Sequence, residues 1–568
     1  MGDNQISAGR PAYLSAGRPA YHFIAPKGWM NDPCAPGYDV KTGLYHLFYQ
    51  WTPLSHRWDK ISWGHATSKD LLHWSHASPE TPAIQPDQDY DREGIFTGCF
   101  WPTGLRGEDQ LSVFYTNVDA LPLHWTLPYT RGCEGLAVAV SSDRGQTWIK
   151  SDANPILSEE PADMVVTGFR DPFLAAWPAM DSARGLEDGR LYGLISGGIK
   201  DVGPRTFLYE VDPADLTQWK YLHPLLRVPT NHRPAGRWGG DLGVNLECTN
   251  FLSLAADGAE RQVIITGSEG GKPRPTAPTQ KEAPERTPRY ASWLMGTLEE
   301  RAGEIDLATS ASGMVDWGDL YAGNTFKHPD GRTVLWGWVI EECLNDAALE
   351  AKSWTGCLGV PRELFLATYD GVTGALASKM DEVRSFEVLS TSDGVCTVAT
   401  LGIRPLTELG SLRGEQLFHA EFFDGDRLAI ADASPLACMI NATFDITDDT
   451  DEVSIHVRHS GDYSTATRIT FYPKRETIVV HRDASNGASD IATYDEEGPM
   501  TLLRTDGGIE PLRLQVFLDH DVIEVFANDR FSLATRVYTS SEITGVSYTR
   551  KGAARVEELG LWAMKATQ

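Results

Sequence analysis

Three tryptophans, Trp74, Trp148 and Trp219, each follow an Asp-initiated turn and stand 74 and 71 residues apart. Two of the turns read Asp70-Leu71-Leu72-His73-Trp74 and Asp215-Leu216-Thr217-Gln218-Trp219, and the other runs from Asp143 to Trp148. A period of that length is the size of a small supersecondary unit, so it points to a propeller or solenoid in which each unit is a sheet packed on the next. The intervening segments agree. LYHLFYQW, LSVFYTNV, LAVAVSS, RLYGLISG, RQVIITG and TVLWGWV read as short strands separated by Gly, Asp, Asn and Pro, without long helical periodicity. The expected class is all-β.

A second series falls on the same ruler. Asn31-Asp32-Pro33, Phe96-Thr97-Gly98, Arg170-Asp171-Pro172, Glu247-Cys248 and Trp317-Gly318-Asp319 centre on positions 32, 97, 171, 247 and 319. One polar position per unit is what a five-bladed β-propeller provides if each innermost strand lines a shared pocket. Proline donates no ladder hydrogen bond and suits an edge strand, and it disfavours the α region for the residue before it, so Asp32 and Asp171 should both be extended. From about residue 396 strict alternation takes over, as in LQVFLDHDVIEVFANDR, and predicts an antiparallel β-sandwich. The expected division is a tail over 1–20 carrying the duplication SAGRPAY, a propeller over 21–385, a linker over 386–395 and the sandwich over 396–568. Gly270 to Arg289, with five prolines, reads as a long exposed loop.

Composition narrows the partners. A net charge of −28 opposes binding to nucleic acid or an anionic membrane surface, and no apolar run is long enough to span a bilayer. The eight cysteines form no C-x-x-C pair, and His73 and His76 lack the spacing of a helical metal site, so neither metal nor cofactor is expected. The chain holds 17 Trp and 19 Tyr, whose flat faces suit sugar rings although most should be core. No basic stretch followed by an apolar core opens the sequence, while Asn441-Ala442-Thr443 is a glycosylation sequon. Location is left open between the cytoplasm and secretion with a leader outside this sequence, and a homodimer remains open too.

Glycoside cleavage needs one carboxylic acid to protonate the leaving oxygen and one carboxylate to trap the oxocarbenium-like centre. Trp29-Met30-Asn31-Asp32-Pro33-Cys34, Phe169-Arg170-Asp171-Pro172 and Glu247-Cys248, in that order, resemble the signature of glycoside hydrolase family 32, the invertases, fructanases and fructosyltransferases. Phe48-Tyr49-Gln50, Trp63-Gly64-His65-Ala66-Thr67-Ser68, Tyr321-Ala322, Trp336-Gly337-Trp338, Pro361-Arg362-Glu363-Leu364 and Ile523-Glu524-Val525-Phe526 extend the likeness over nearly the whole chain. The resemblance implies Asp32 as nucleophile, Glu247 as acid/base and Asp171 as transition-state stabiliser. It also implies a sugar-binding set of Asn31, Gln50, Trp58, Trp63, Phe96, Thr97, Arg170, Asp319 and Glu341. Arg170 and local hydrogen bonds should keep Asp32 ionised, while neighbouring carboxylates raise Glu247. Cys248, next to Glu247 on a strand, should point the opposite way.

Cys34-Ala35 and Thr249-Asn250 depart from the family's commoner residues and unsettle substrate preference. The main reading is a retaining β-fructofuranosidase acting on sucrose or fructooligosaccharides. A fructosyltransferase, a non-catalytic fructoside-binding protein and an arabinan-cleaving furanosidase stay open beside it, because hydrolysis and transfer share one covalent intermediate.

Overall fold

The computed structural model describes residues 17–273, 287–488 and 491–567. It is all-β, a β-propeller followed by a C-terminal β-sandwich-like region; among the described residues the α-helices are Pro178–Ala183 and Asp346–Lys352. Most of the duplicated tail (1–16) and most of the proline-rich loop (274–286) lie outside the described residues.

Four consecutive antiparallel sheets open with Gly28–Asp39, Gly94–Trp101, Val166–Ala176 and Asn245–Ala256. Leu320–Lys327 opens a further sheet through Thr333–Val339 and Arg362–Ala375. Each opening strand touches the next, and Leu320–Lys327 touches Gly28–Asp39, so the five lie around one axis. The short strand Trp354–Thr355 pairs in parallel with Gly28–Asp39 and ties the late part of the ring to its beginning.

The Asp-turn-Trp repeat has a local cause. Asp70 Oδ1 accepts from the backbone N–H groups of Leu72 and His73, Asp143 Oδ1 from that of Thr147, and Asp215 Oδ1 from that of Thr217. Such side-chain turns end the third strand of a sheet and launch the short fourth one, and Trp74 and Trp219 begin those fourth strands. Their indole N–H groups close the motif on Leu71 and Leu216 carbonyls at 3.0 and 2.9 Å.

The stretch 386–395, read as a linker, carries strand Glu387–Ser392, which pairs with Val395–Pro405; that strand in turn pairs with Arg362–Ala375. The alternation of Val395–Pro405 buries its apolar side chains in the propeller-side sheet, so that sheet continues to Pro405. Beyond it, Ala437–His459 and Gly545–Met564 form the long spine of the sandwich-like region, around Ile440, Phe444, Ile455, Val516, Val525 and Leu561. The sequon residue Asn441 lies mid-strand between Gln515 and Gly560, not on the surface loop that a sequon usually marks.

Matched buried charges join the two regions. Arg362 meets Asp316 at 3.0 Å and Glu524 at 2.6 Å, and His22 bridges Asp519 and Glu524 at 2.8 and 2.9 Å. Unpaired, any of these groups would cost several kcal/mol; paired across the seam, they fix how the regions dock.

Candidate active site

Every opening strand breaks its register near the axis. The shifts fall between Met30 and Pro33, between Cys34 and Gly37, between Phe96 and Gly98, opposite Asp171, between Glu247 and Asn250, and between Tyr321 and Asn324. Four carry a residue at positive φ: Ala35 at 44°, Asp171 at 61°, Cys248 at 49° and Ala322 at 51°. A β-bulge inserts an unpaired residue and re-aims its neighbours. Asp171 is therefore left-handed and not extended as its proline suggested, at a cost of roughly 1–2 kcal/mol for a residue with a Cβ. The hydrogen bonds that follow hold it there.

Asp32 sits in a fork of donors: Thr97 Oγ1 to Oδ2 at 2.7 Å, Asn31 Nδ2 to Oδ1 at 3.2 Å and Gln50 Nε2 to Oδ2 at 3.4 Å. Gln50 and Asn31 are themselves bonded at 2.7 Å, and Gln50 donates to Thr97 at 2.8 Å, so the donors brace one another. Asp171 Oδ2 accepts the Cys248 backbone N–H at 2.9 Å, and its own N–H donates to Thr116 Oγ1 at 2.7 Å. Glu247 accepts from Tyr321 Oη at 2.7 Å on one oxygen and from Arg170 Nε at 3.2 Å on the other.

The three carboxylates converge on a cavity of about 420 Å³ whose wall includes Asn31, Gln50, Trp58, Phe96 and Arg170. Thr97 is buried directly behind Asp32. A larger cavity of about 650 Å³ between the two regions has charges already matched among themselves, such as Arg237 with Glu476 and Arg475 with Glu497, and holds none of the three carboxylates.

Three expected binding residues stand elsewhere. Trp63 is wholly buried on the third strand of the first sheet, against Phe48 and Tyr115, because third strands lie away from the axis. Asp319 precedes the bulge of its strand and faces the sandwich-like region, its N–H on the Ala534 carbonyl at 2.7 Å and its Oδ2 accepting from Thr535 at 3.2 Å. Tyr321, two residues on, is what that strand delivers to the pocket. Glu341 is held by Lys352, Tyr538 and the Gly356 N–H in the interface, and the adjacent Glu342 lines the cavity instead.

Cys248 also departs from its expected direction. The bulge cancels strand alternation, and its Sγ lies 3.8 Å from Asp32 Oδ2 and 3.6 Å from Asp171 Oδ2. Burial, followed by Asp171 and Asp32, pushes its thiol well above the usual range, so it stays protonated.

Both halves of the chain match known family models. The one described as the glycosyl hydrolases family 32 N-terminal domain covers residues 22–376, and that described as the glycosyl hydrolases family 32 C terminal covers residues 408–563. The chain belongs to glycosyl hydrolase family 32. This family 32 chain is 28% identical to Beta-fructofuranosidase 1 of Zea mays, over 94% of its length and 76% of that protein. It is 27% identical to the 6(G)-fructosyltransferase of Asparagus officinalis, over 98% and 88% of the two chains. Among solved structures, the Aspergillus kawachii beta-fructofuranosidase complexed with glycerol is similar with a TM-score of 0.86 at 27% identity, covering 99% of this chain and 97% of that one.

The electrostatics of this family 32 site follow from burial. Desolvation raises Asp32 to about 6; the Thr97 bond pulls it down and Glu247 pushes it up. Arg170 is not beside Asp32 as expected, for its guanidinium serves Glu247 and Glu134. Glu247 rises to about 7 through burial and then Glu269, against Arg170. Asp171 is pushed well above the carboxylate range by burial and then by Glu247. Among the described residues no three His, Cys, Asp or Glu side chains gather as metal ligands.

Tyr321, Glu269, Arg289, Glu342, Trp29, Trp338 and His124 also line the pocket and were not assigned to it from sequence. Tyr321-Ala322 did carry a motif. Glu269 and Glu342 had no local signal, because their place depends on how the sheets meet.

Proposed function

We propose that the chain is a retaining β-fructofuranosidase cleaving the fructosyl bond of sucrose or fructooligosaccharides through a covalent fructosyl-enzyme intermediate. The observation that carries this reading is the division of labour at the pocket. Asp32 is held by three neutral side-chain donors that favour its charged form, whereas Glu247 sits in a field of buried carboxylates that favours its proton. Asp32 attacks the anomeric carbon as the bond to the leaving oxygen breaks, and the Glu247 proton passes to that oxygen. Glu247, now a carboxylate, takes a proton from water, which displaces Asp32 and releases fructose. Asp171, fixed by the Cys248 N–H, faces the sugar hydroxyls and the developing positive charge.

The cyclic contact of the opening strands supports counting the sheet that starts at Leu320 as the fifth blade, of which Tyr321 is the pocket residue. Relatives named as fructosyltransferases favour one second reading, in which a sugar hydroxyl replaces water at the second step.

Incubation with sucrose tests both. Turnover that Asp32→Asn and Glu247→Gln abolish is expected, and an active Asp32→Asn variant would sink the assignment. Equal release of glucose and fructose at every sucrose concentration identifies hydrolysis; glucose in excess identifies transfer.

A further inference from the structure

Glu134 opens strand Glu134–Ser141 of the second sheet and is fully buried. Both its oxygens are engaged by consecutive residues of the third sheet: Oε1 by Arg170 Nη1 and Oε2 by the Phe169 backbone N–H, each at 2.8 Å. Arg170 meanwhile donates through Nε to Glu247 Oε1, on the fourth sheet, at 3.2 Å. A guanidinium is a rigid planar fork. Whatever fixes Nη1 therefore fixes the direction in which Nε points.

We propose that Glu134 is the positioning residue for the acid/base, a carboxylate outside the pocket that holds Arg170 so that Glu247 receives a single N–H. Released from Glu134, Arg170 would be free to meet Glu247 with two parallel N–H groups, the strongest arrangement open to this pair. That pairing stabilises ionised Glu247, which has no proton to give. Sharing Arg170 between Glu134 and Glu247, with Glu269 at 3.8 Å from Nη2, dilutes its pull. The clamp on Phe169 N–H also braces the strand one residue before the Arg170-Asp171 bulge.

The inference rests on the β-fructofuranosidase reading, and its test separates the two. Sucrose needs its leaving oxygen protonated, whereas fructosyl fluoride, whose leaving group departs with little acid assistance, does not. Glu134→Gln leaves a neutral group that cannot accept both donors. It should lower kcat/KM for sucrose roughly 10- to 100-fold, the scale of a mispositioned general acid, with less than a threefold change for the fluoride. Glu134→Asp keeps the charge but falls one methylene short, and should give a smaller shift in the same ratio; it carries the test if Glu134→Gln does not fold. Parallel loss on both donors, or no loss on either, in a folded variant would overturn the positioning role. A parent protein inactive on both donors would overturn the underlying reading, and this inference with it.

Discussion

The Tyr321 hydroxyl donates to Glu247 Oε2 at 2.7 Å, and this bond joins the strand that opens the last propeller-side sheet to the acid/base on the fourth. It favours ionised Glu247 and so holds its pKa below where burial alone would put it. Tyr321→Phe should therefore move the alkaline limb of kcat/KM from near pH 7 to higher pH. The maximum should fall several-fold, because the carboxyl loses one of its two donors. A pH–rate profile checks this; an alkaline limb displaced downward would contradict it.

Thr97 acts on the nucleophile with the same sign. Its bond to Asp32 favours the carboxylate against burial, and a hydrogen bond to a charged group is worth about 1.5–3 kcal/mol. Thr97→Val should raise Asp32 above about 6, shift the acid limb to higher pH and cut kcat/KM roughly tenfold or more. Valine nearly matches threonine in shape, so the melting temperature serves as the control for folding.

Trp58 and Trp63 separate binding from packing. Trp58 is 43% exposed at the pocket wall, whereas Trp63 is wholly buried beneath the first sheet. Trp63→Ala should destabilise the fold by about 3–5 kcal/mol. Trp58→Ala should raise KM for sucrose several-fold, with stability changed by less than about 0.5 kcal/mol. Denaturant titration beside Michaelis kinetics distinguishes them.

His22 links pH to stability through the seam. Although burial opposes its charge, Asp519 and Glu524 raise its pKa from 6.5 to about 9. Its stabilisation is complete below the unfolded value near 6.5 and fades as pH climbs through about 9, on the order of 3 kcal/mol in all. The melting temperature should fall between pH 7 and 10, and His22→Gln should flatten that slope. Acid acts through the partners: Asp519 and Glu524, held below the usual carboxylate range, lose their share as pH falls toward about 2.

Local chemistry alone determined much of this protein. Turn-forming aspartates, short apolar strands and the change of texture near residue 396 sufficed for an all-β propeller and a sandwich-like partner, because each is a property of neighbours along the chain. Asp32, Asp171 and Glu247 were readable for the same reason, each within a short motif on an opening strand. Tertiary structure alone decided where side chains point once a strand bulges. Period-2 alternation holds only while register holds, and its failure at every opening strand turned Cys248 into the pocket, made Asp171 left-handed, and exchanged Asp319 for Tyr321. It also decided which charges meet. Arg170 serves Glu134 and Glu247, and Glu341 belongs to Lys352, because those partners lie on separate elements that only the closed fold brings together.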